Sequence, residues 1–172
     1  MPMTGADSGI GWFDSADVDV LRPLVLDCLA VPRWGDGVLA ARPFGEVDAL
    51  VAAADVVLSD DEVLAAIAHH PRIGERGRGS SAAWSDGEQS GVDGSASGLL
   101  VDANARYEAR FGHVFLICAT GLSGADVLAS LAARMGNEPA FELRVVNREL
   151  CRIAAIRLRK LVDRERQPPH RR

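Results

Sequence analysis

Apolar and polar positions follow one another with a helical period over most of this chain. From Asp17 to Leu29, the residues Val20, Leu21, Leu24, Val25 and Leu29 recur at the three- and four-residue steps of a helix face. Pro32, Trp34 and Gly35 break the pattern, and Val47–Leu58 resumes it with Leu50, Val51, Ala54 and Leu58 on one stripe. Ser59 followed by Glu62 and the run Val63, Leu64, Ile67 is a capping-box start. That helix must stop before Pro71, because the residue preceding a proline is pushed out of the α region. Leu99–Phe111 carries Leu100, Asn104, Tyr107 and Phe111 on one face, and Gly112 is its natural C-cap. Val114–Ala119 is a short apolar run that ends at Gly121 and reads as a buried strand or an extended segment. Ser123 opens a further helix reaching Met135, and the longest one runs from about Glu138 to Asp163.

Between Arg72 and Gly98 the pattern changes: glycines alternate with serines and charges. Trp84 and the cluster Ser85-Asp86-Gly87-Glu88-Gln89 are unusual spacer material, so a long functional loop carrying a short helix is expected here rather than a linker. Together these elements predict an all-α fold, and 172 residues suit a single compact helical domain. Its core is expected over about 17–163, with 1–12 and 165–172 as frayed ends.

Composition narrows what such a domain can do. A net charge of −5 and a pI near 5.3 argue against nucleic acid or an anionic membrane as the main partner. No apolar run reaches the roughly 20 residues that span a bilayer, and the first residues lack a signal pattern. Cys28, Cys118 and Cys151 are widely spaced and form no CxxC pair, so a disulfide framework or zinc knuckle is not supported and a reducing cytoplasm is expected.

The last helix holds the most informative oddity. Leu143, Val146, Leu150, Ile153, Ala154 and Leu161 fall on one face, and Arg157 falls in the middle of it, whereas Arg144, Arg148, Arg152 and Arg159 project elsewhere. A guanidinium stays charged, so one on a buried stripe calls for an anion: a protein carboxylate or an anionic substrate. His69-His70-Pro71 lies where a helix ends and the glycine-rich stretch begins, and imidazole suits proton transfer near neutral pH. A histidine that merely faces the helix dipole is the other reading. Ser85-x-x-Glu88 is a capping box that would also present Gln89, and a carboxylate near His70 would orient the ring. Neighbouring histidines on a helix point about 100° apart, and Asp61, Glu75 and His113 add no ligand spacing, so no metal site is expected. No nucleotide-binding glycine motif, HExxH or GxSxG is present.

Further features follow in order. These are Ala41-Arg42-Pro43-Phe44, His70-Pro71-Arg72-Ile73-Gly74, Ser85-x-x-Glu88-Gln89, Asn104-x-x-Tyr107-Glu108-x-Arg110-Phe111-Gly112, Phe115-Leu116-Ile117-Cys118-Ala119-x-Gly121, Glu149 and Ile156-Arg157-Leu158. This succession, from about Asp17 to Val162, resembles the OHCU decarboxylases, which act on 2-oxo-4-hydroxy-4-carboxy-5-ureidoimidazoline in urate degradation. The resemblance implies an all-α, homodimeric carboxy-lyase of purine metabolism that uses no cofactor or metal and yields (S)-allantoin and CO2. Carried over by motif, His70 is the proton donor and is supported by Glu88. Pro71, Ser85 and Gln89 line the substrate pocket, Phe115, Leu116, Ile117, Cys118 and Ala119 offer main-chain groups, and Arg157 contacts the substrate. His113 stands where relatives usually carry an aromatic or apolar residue, and Thr120 where many carry a basic one. A C-terminus without Ser-Lys-Leu agrees with a cytoplasmic enzyme. A metal-dependent hydrolase of a related ureide, or a non-catalytic helical interaction module, are the competing readings.

Overall fold

Ser59 caps a helix as its spacing requires: its Oγ accepts the Glu62 N–H at 3.2 Å, and the Glu62 carboxylate accepts the Ser59 N–H at 2.8 Å. The computed structural model describes residues 9–74 and 97–165, and these form eight α-helices and no strand. They are α1 (Gly9–Ser15), α2 (Val18–Cys28), α3 (Pro32–Ala40), α4 (Val47–Ala52), α5 (Asp60–Ile67), α6 (Ser97–Phe111), α7 (Gly124–Arg134) and α8 (Pro139–Glu165). The all-α expectation therefore holds among the described residues. Asp17 caps α2 by accepting the Asp19 N–H, and Ser123 closes a second capping box with Asp126 at the start of α7.

Four expectations need correction. Fraying over 1–12 does not hold for residues 9–12, which begin α1; Phe13 is fully buried there. Pro32, Trp34 and Gly35 do not interrupt helical structure but start α3. Pro32 occupies the first turn, where a proline loses nothing because its missing N–H would be unpaired anyway. The helix expected over Val47–Leu58 stops at Ala52. Side chains take over the backbone beyond it: Trp34 Nε1 donates to the Ala54 carbonyl, and Cys151 Sγ to that of Val56. Finally Val20, counted on the apolar face of α2, points to solvent at 55% exposure, while Leu21 and Val25 are buried.

The described residues fall into two compact units, one of 9–57 with 151–165 and one of 58–74 with 97–150. In the first unit α2 packs on α3. Gly35 allows that approach, since a Cβ there would sit 2.9 Å from Leu26 Cδ2. Arg42 ties α1 and α3 together by donating to the carbonyls of Phe13, Ala16 and Leu39, and Asp14 accepts the N–H groups of Phe44 and Gly45. The Ala41–Phe44 motif is thus a structural tie. In the second unit α6 packs on α7. Its core joins Ile73, Leu100, Tyr107, Phe115, Ile117, Val127 and Leu131.

Candidate active site

His70 follows the last turn of α5, with its N–H donating to the Ile67 carbonyl at 2.9 Å, and both it and Pro71 are half-buried. The next residues are clipped to α6. Arg72 makes a two-pronged bond to Glu108 (2.6 and 2.9 Å), and Asn104 Nδ2 donates to the Ile73 carbonyl at 3.2 Å. That pair holds the Glu108 carboxyl below its ordinary range, chiefly through the hydrogen bond from Arg72. Asn104 is 4% exposed, and its Oδ1 has no hydrogen-bond partner. The amide orientation is nonetheless set, because a flip would turn that oxygen toward the Ile73 carbonyl. A pocket of about 240 Å³ lies here, lined among others by Arg72, Gly74, Asn104 and Glu108.

The segment Phe115–Ala119 is neither helix nor strand. Phe115, Leu116, Ile117 and Ala119 are buried, and their apolar side chains account for that. Its main chain is held by charged side chains instead of a neighbouring strand. Arg134 Nη1 donates to the Leu116 carbonyl at 2.7 Å, and the Cys118 N–H donates to Glu149 Oε2 at 2.8 Å. Arg134 in turn is paired with Glu142, which is fully buried and also accepts from the Tyr107 hydroxyl and from Asn137 Nδ2. Burial first, and then the bond to Glu142, push the Tyr107 phenol above its ordinary range, so it stays a donor. The Arg134 guanidinium also lies 4.5 Å from the centre of the Phe115 ring. His113 packs its ring 5.6 Å from Tyr107 and 6.1 Å from Phe111, filling an aromatic position as an aromatic.

Arg157 is 3% exposed, as its place on the apolar stripe of α8 requires, and its Nη1 donates to the Cys28 carbonyl at 3.4 Å. It belongs to the first unit, whereas His70, Pro71 and Phe115–Ala119 belong to the second. Ser85, Glu88 and Gln89 lie outside the described residues. The structure thus brings the His70 segment and the Phe115–Ala119 segment onto one scaffold: α6 holds the first through Asn104 and Glu108, and Tyr107 braces the cluster that holds the second.

An OHCU decarboxylase family model matches residues 14–159. The chain belongs to the OHCU decarboxylase family. A 2-oxo-4-hydroxy-4-carboxy-5-ureidoimidazoline decarboxylase of Amia calva is 35% identical over 101 residues, covering 55% of this chain and 58% of that protein. The uric acid degradation bifunctional protein TTL of Arabidopsis thaliana is 31% identical over 145 residues, covering 78% of this chain and 45% of that protein. The matched region thus spans about half the length of these relatives. A crystal structure of OHCU decarboxylase in the presence of (S)-allantoin superposes with a TM-score of 0.68 at 23% identity, covering 86% of this chain and 99% of that one. One of (S)-allantoin synthase gives 0.64 at 16% identity, covering 90% and 54%. These two likenesses establish the OHCU decarboxylase fold.

Within that fold, the residues overlooked as site-builders are Arg134, Glu142 and Glu149. They lie on apolar stripes, as Arg157 does. Glu142 and Glu149 share its helix and step with Val146 and Ile153 at helical spacing, and Arg134 follows Val127 and Leu131 on α7. Charges recurring on an apolar face are the sequence signal for such residues.

Proposed function

We propose that this member of the OHCU decarboxylase family is a cofactor-independent carboxy-lyase converting 2-oxo-4-hydroxy-4-carboxy-5-ureidoimidazoline to (S)-allantoin and CO2 in urate degradation. The observation that carries this reading is the family match over residues 14–159. The substrate supplies its own electron sink. The carboxylate hangs on a carbon next to a C=N bond, so the electron pair of the breaking C–C bond forms a double bond to the neighbouring carbon and the ring nitrogen takes up charge. The hydroxyl-bearing carbon then becomes the ring carbonyl as a proton reaches the ureido carbon, and one proton is consumed for each carboxylate lost as CO2.

The protein need only hold the carboxylate across the ring plane, stabilise charge and deliver a proton to one face. In this reading Arg157 binds the carboxylate or ring carbonyl. Ser85, Gln89, Pro71 and the main chain of Phe115–Ala119 orient the ring and ureido groups, and His70, supported by Glu88, supplies or relays the proton that sets the S configuration. The protein acts as a homodimer in the cytoplasm. Cysteines outside any disulfide, as at Cys28, Cys118 and Cys151, suit a reducing compartment.

The test supplies urate, urate oxidase and hydroxyisourate hydrolase and follows the ureidoimidazoline carboxylate with and without this protein. Faster loss of the intermediate with optically active allantoin is expected. Unchanged decay to racemic allantoin would overturn the reading.

A further inference from the structure

The two charged clips on Phe115–Ala119 fall on consecutive peptide units. Arg134 holds the carbonyl of the unit joining Leu116 to Ile117, and Glu149 holds the N–H of the unit joining Ile117 to Cys118. Both units are trans. A trans peptide is planar with its C=O and N–H pointing in opposite directions, so fixing one end aims the other. Arg134 therefore sets the direction of the Ile117 N–H, and Glu149 that of the Ile117 carbonyl.

Neither of these Ile117 groups has a hydrogen-bond partner among the described residues, although Ile117 is only 9% exposed. A main-chain donor and acceptor left open side by side on a residue that is 9% exposed are available to a ligand that completes both. An amide, lactam or ureide edge, with its own N–H beside its own C=O, is complementary to that pair. The clips are themselves firm. Hydrogen bonds involving charged groups are stronger than neutral ones, and Arg134 is locked by Glu142, which Tyr107 and Asn137 hold in turn.

We propose that Glu149 and Arg134 are positioning residues that aim the Ile117 N–H and C=O at the amide edge of a ureide substrate. The identity of that ligand rests on the decarboxylase reading above; the aiming of the peptide groups does not. Glu149→Leu removes the acceptor for the Cys118 N–H at similar volume, whereas Glu149→Gln keeps an acceptor oxygen. The Leu variant should lose about ten- to hundredfold in kcat, the scale of a small misplacement of a substrate-holding group, with the helical circular dichroism spectrum unchanged. The Gln variant should stay near wild type. In amide NMR, titration with (S)-allantoin should move the Ile117 N–H signal of the wild-type and Gln proteins but not of the Leu protein. Arg134→Lys, which keeps the charge beside Glu142 but loses the planar fork, carries the same expectations as Glu149→Leu and replaces it if that variant does not fold.

An Ile117 amide that (S)-allantoin leaves unmoved in the wild-type protein overturns the inference, and so does a Leu variant with wild-type kcat and KM. Wild-type protein that shows no turnover, yet an Ile117 shift that Glu149→Leu abolishes, would sink the decarboxylase reading and sustain this one.

Discussion

Arg157, Glu142 and Glu149 are charged residues on one helix, each less than a tenth exposed. A buried charge is tolerated only while its partners are in place, so removal of one partner is felt strongly. Glu142→Leu leaves the Arg134 guanidinium without its carboxylate and should cost on the order of 3–5 kcal/mol, read from the midpoint of urea unfolding. Tyr107→Phe removes only one donor to that carboxylate and should cost about 1–3 kcal/mol. The groups proposed to act on the substrate call for the opposite signature, lost rate with the fold kept. His70→Ala should lose roughly 10²–10⁴-fold in kcat, the usual range for a general acid or base, with its thermal transition close to wild type. Arg157→Lys should also be severe in kcat/KM, since in the proposed role an ammonium cannot reproduce the planar guanidinium fork.

At the scale of elements, α6 is the scaffold of the second unit, and its hold on the His70 segment is partly electrostatic. The Arg72 bond keeps the Glu108 carboxyl ionised below its ordinary value of 4.5, so the folded state binds that proton less readily than the unfolded chain. The stabilisation is therefore present above the ordinary value and is lost as pH falls through the lowered one. Glu108→Gln should lower the melting temperature near neutral pH, and the gap to wild type should close on acidification. Because Arg72 is nearly half exposed, added salt should shrink the gap as well. In the first unit, α1 rests on the second half of α8 without room for a side chain: a Cβ on Gly9 would lie 2.0 Å from the Val162 carbonyl oxygen. Gly9→Ala should therefore destabilise the protein, although alanine is the better helix former. Thermal melts monitored by circular dichroism test this.

For the whole molecule the expectation follows from the proposed substrate rather than from any bound group. A β-imino carboxylate carries its own electron sink, so dialysis against a chelator should leave the decarboxylase rate unchanged. A rate abolished by chelation and restored by zinc or manganese would instead support the hydrolase reading.

Local chemistry made much of this chain readable before any coordinates. The capping box at Ser59, the helix start at Ser123, the C-cap at Gly112 and the apolar stripes are set by neighbours within a few residues, so the helices of the second unit and the burial of Arg157 followed directly. The ordered motifs likewise carried the family. The early end of α4 did not follow, because the side chains that serve the backbone after Ala52 come from Trp34 and Cys151. Nor did the bracing of Ile117. Its peptide planes are held by Arg134 and Glu149, whose bonds to this segment span 18 and 31 positions in sequence. Partners so distant are joined only when apolar faces pack, and no local pattern of residues encodes which of them will meet.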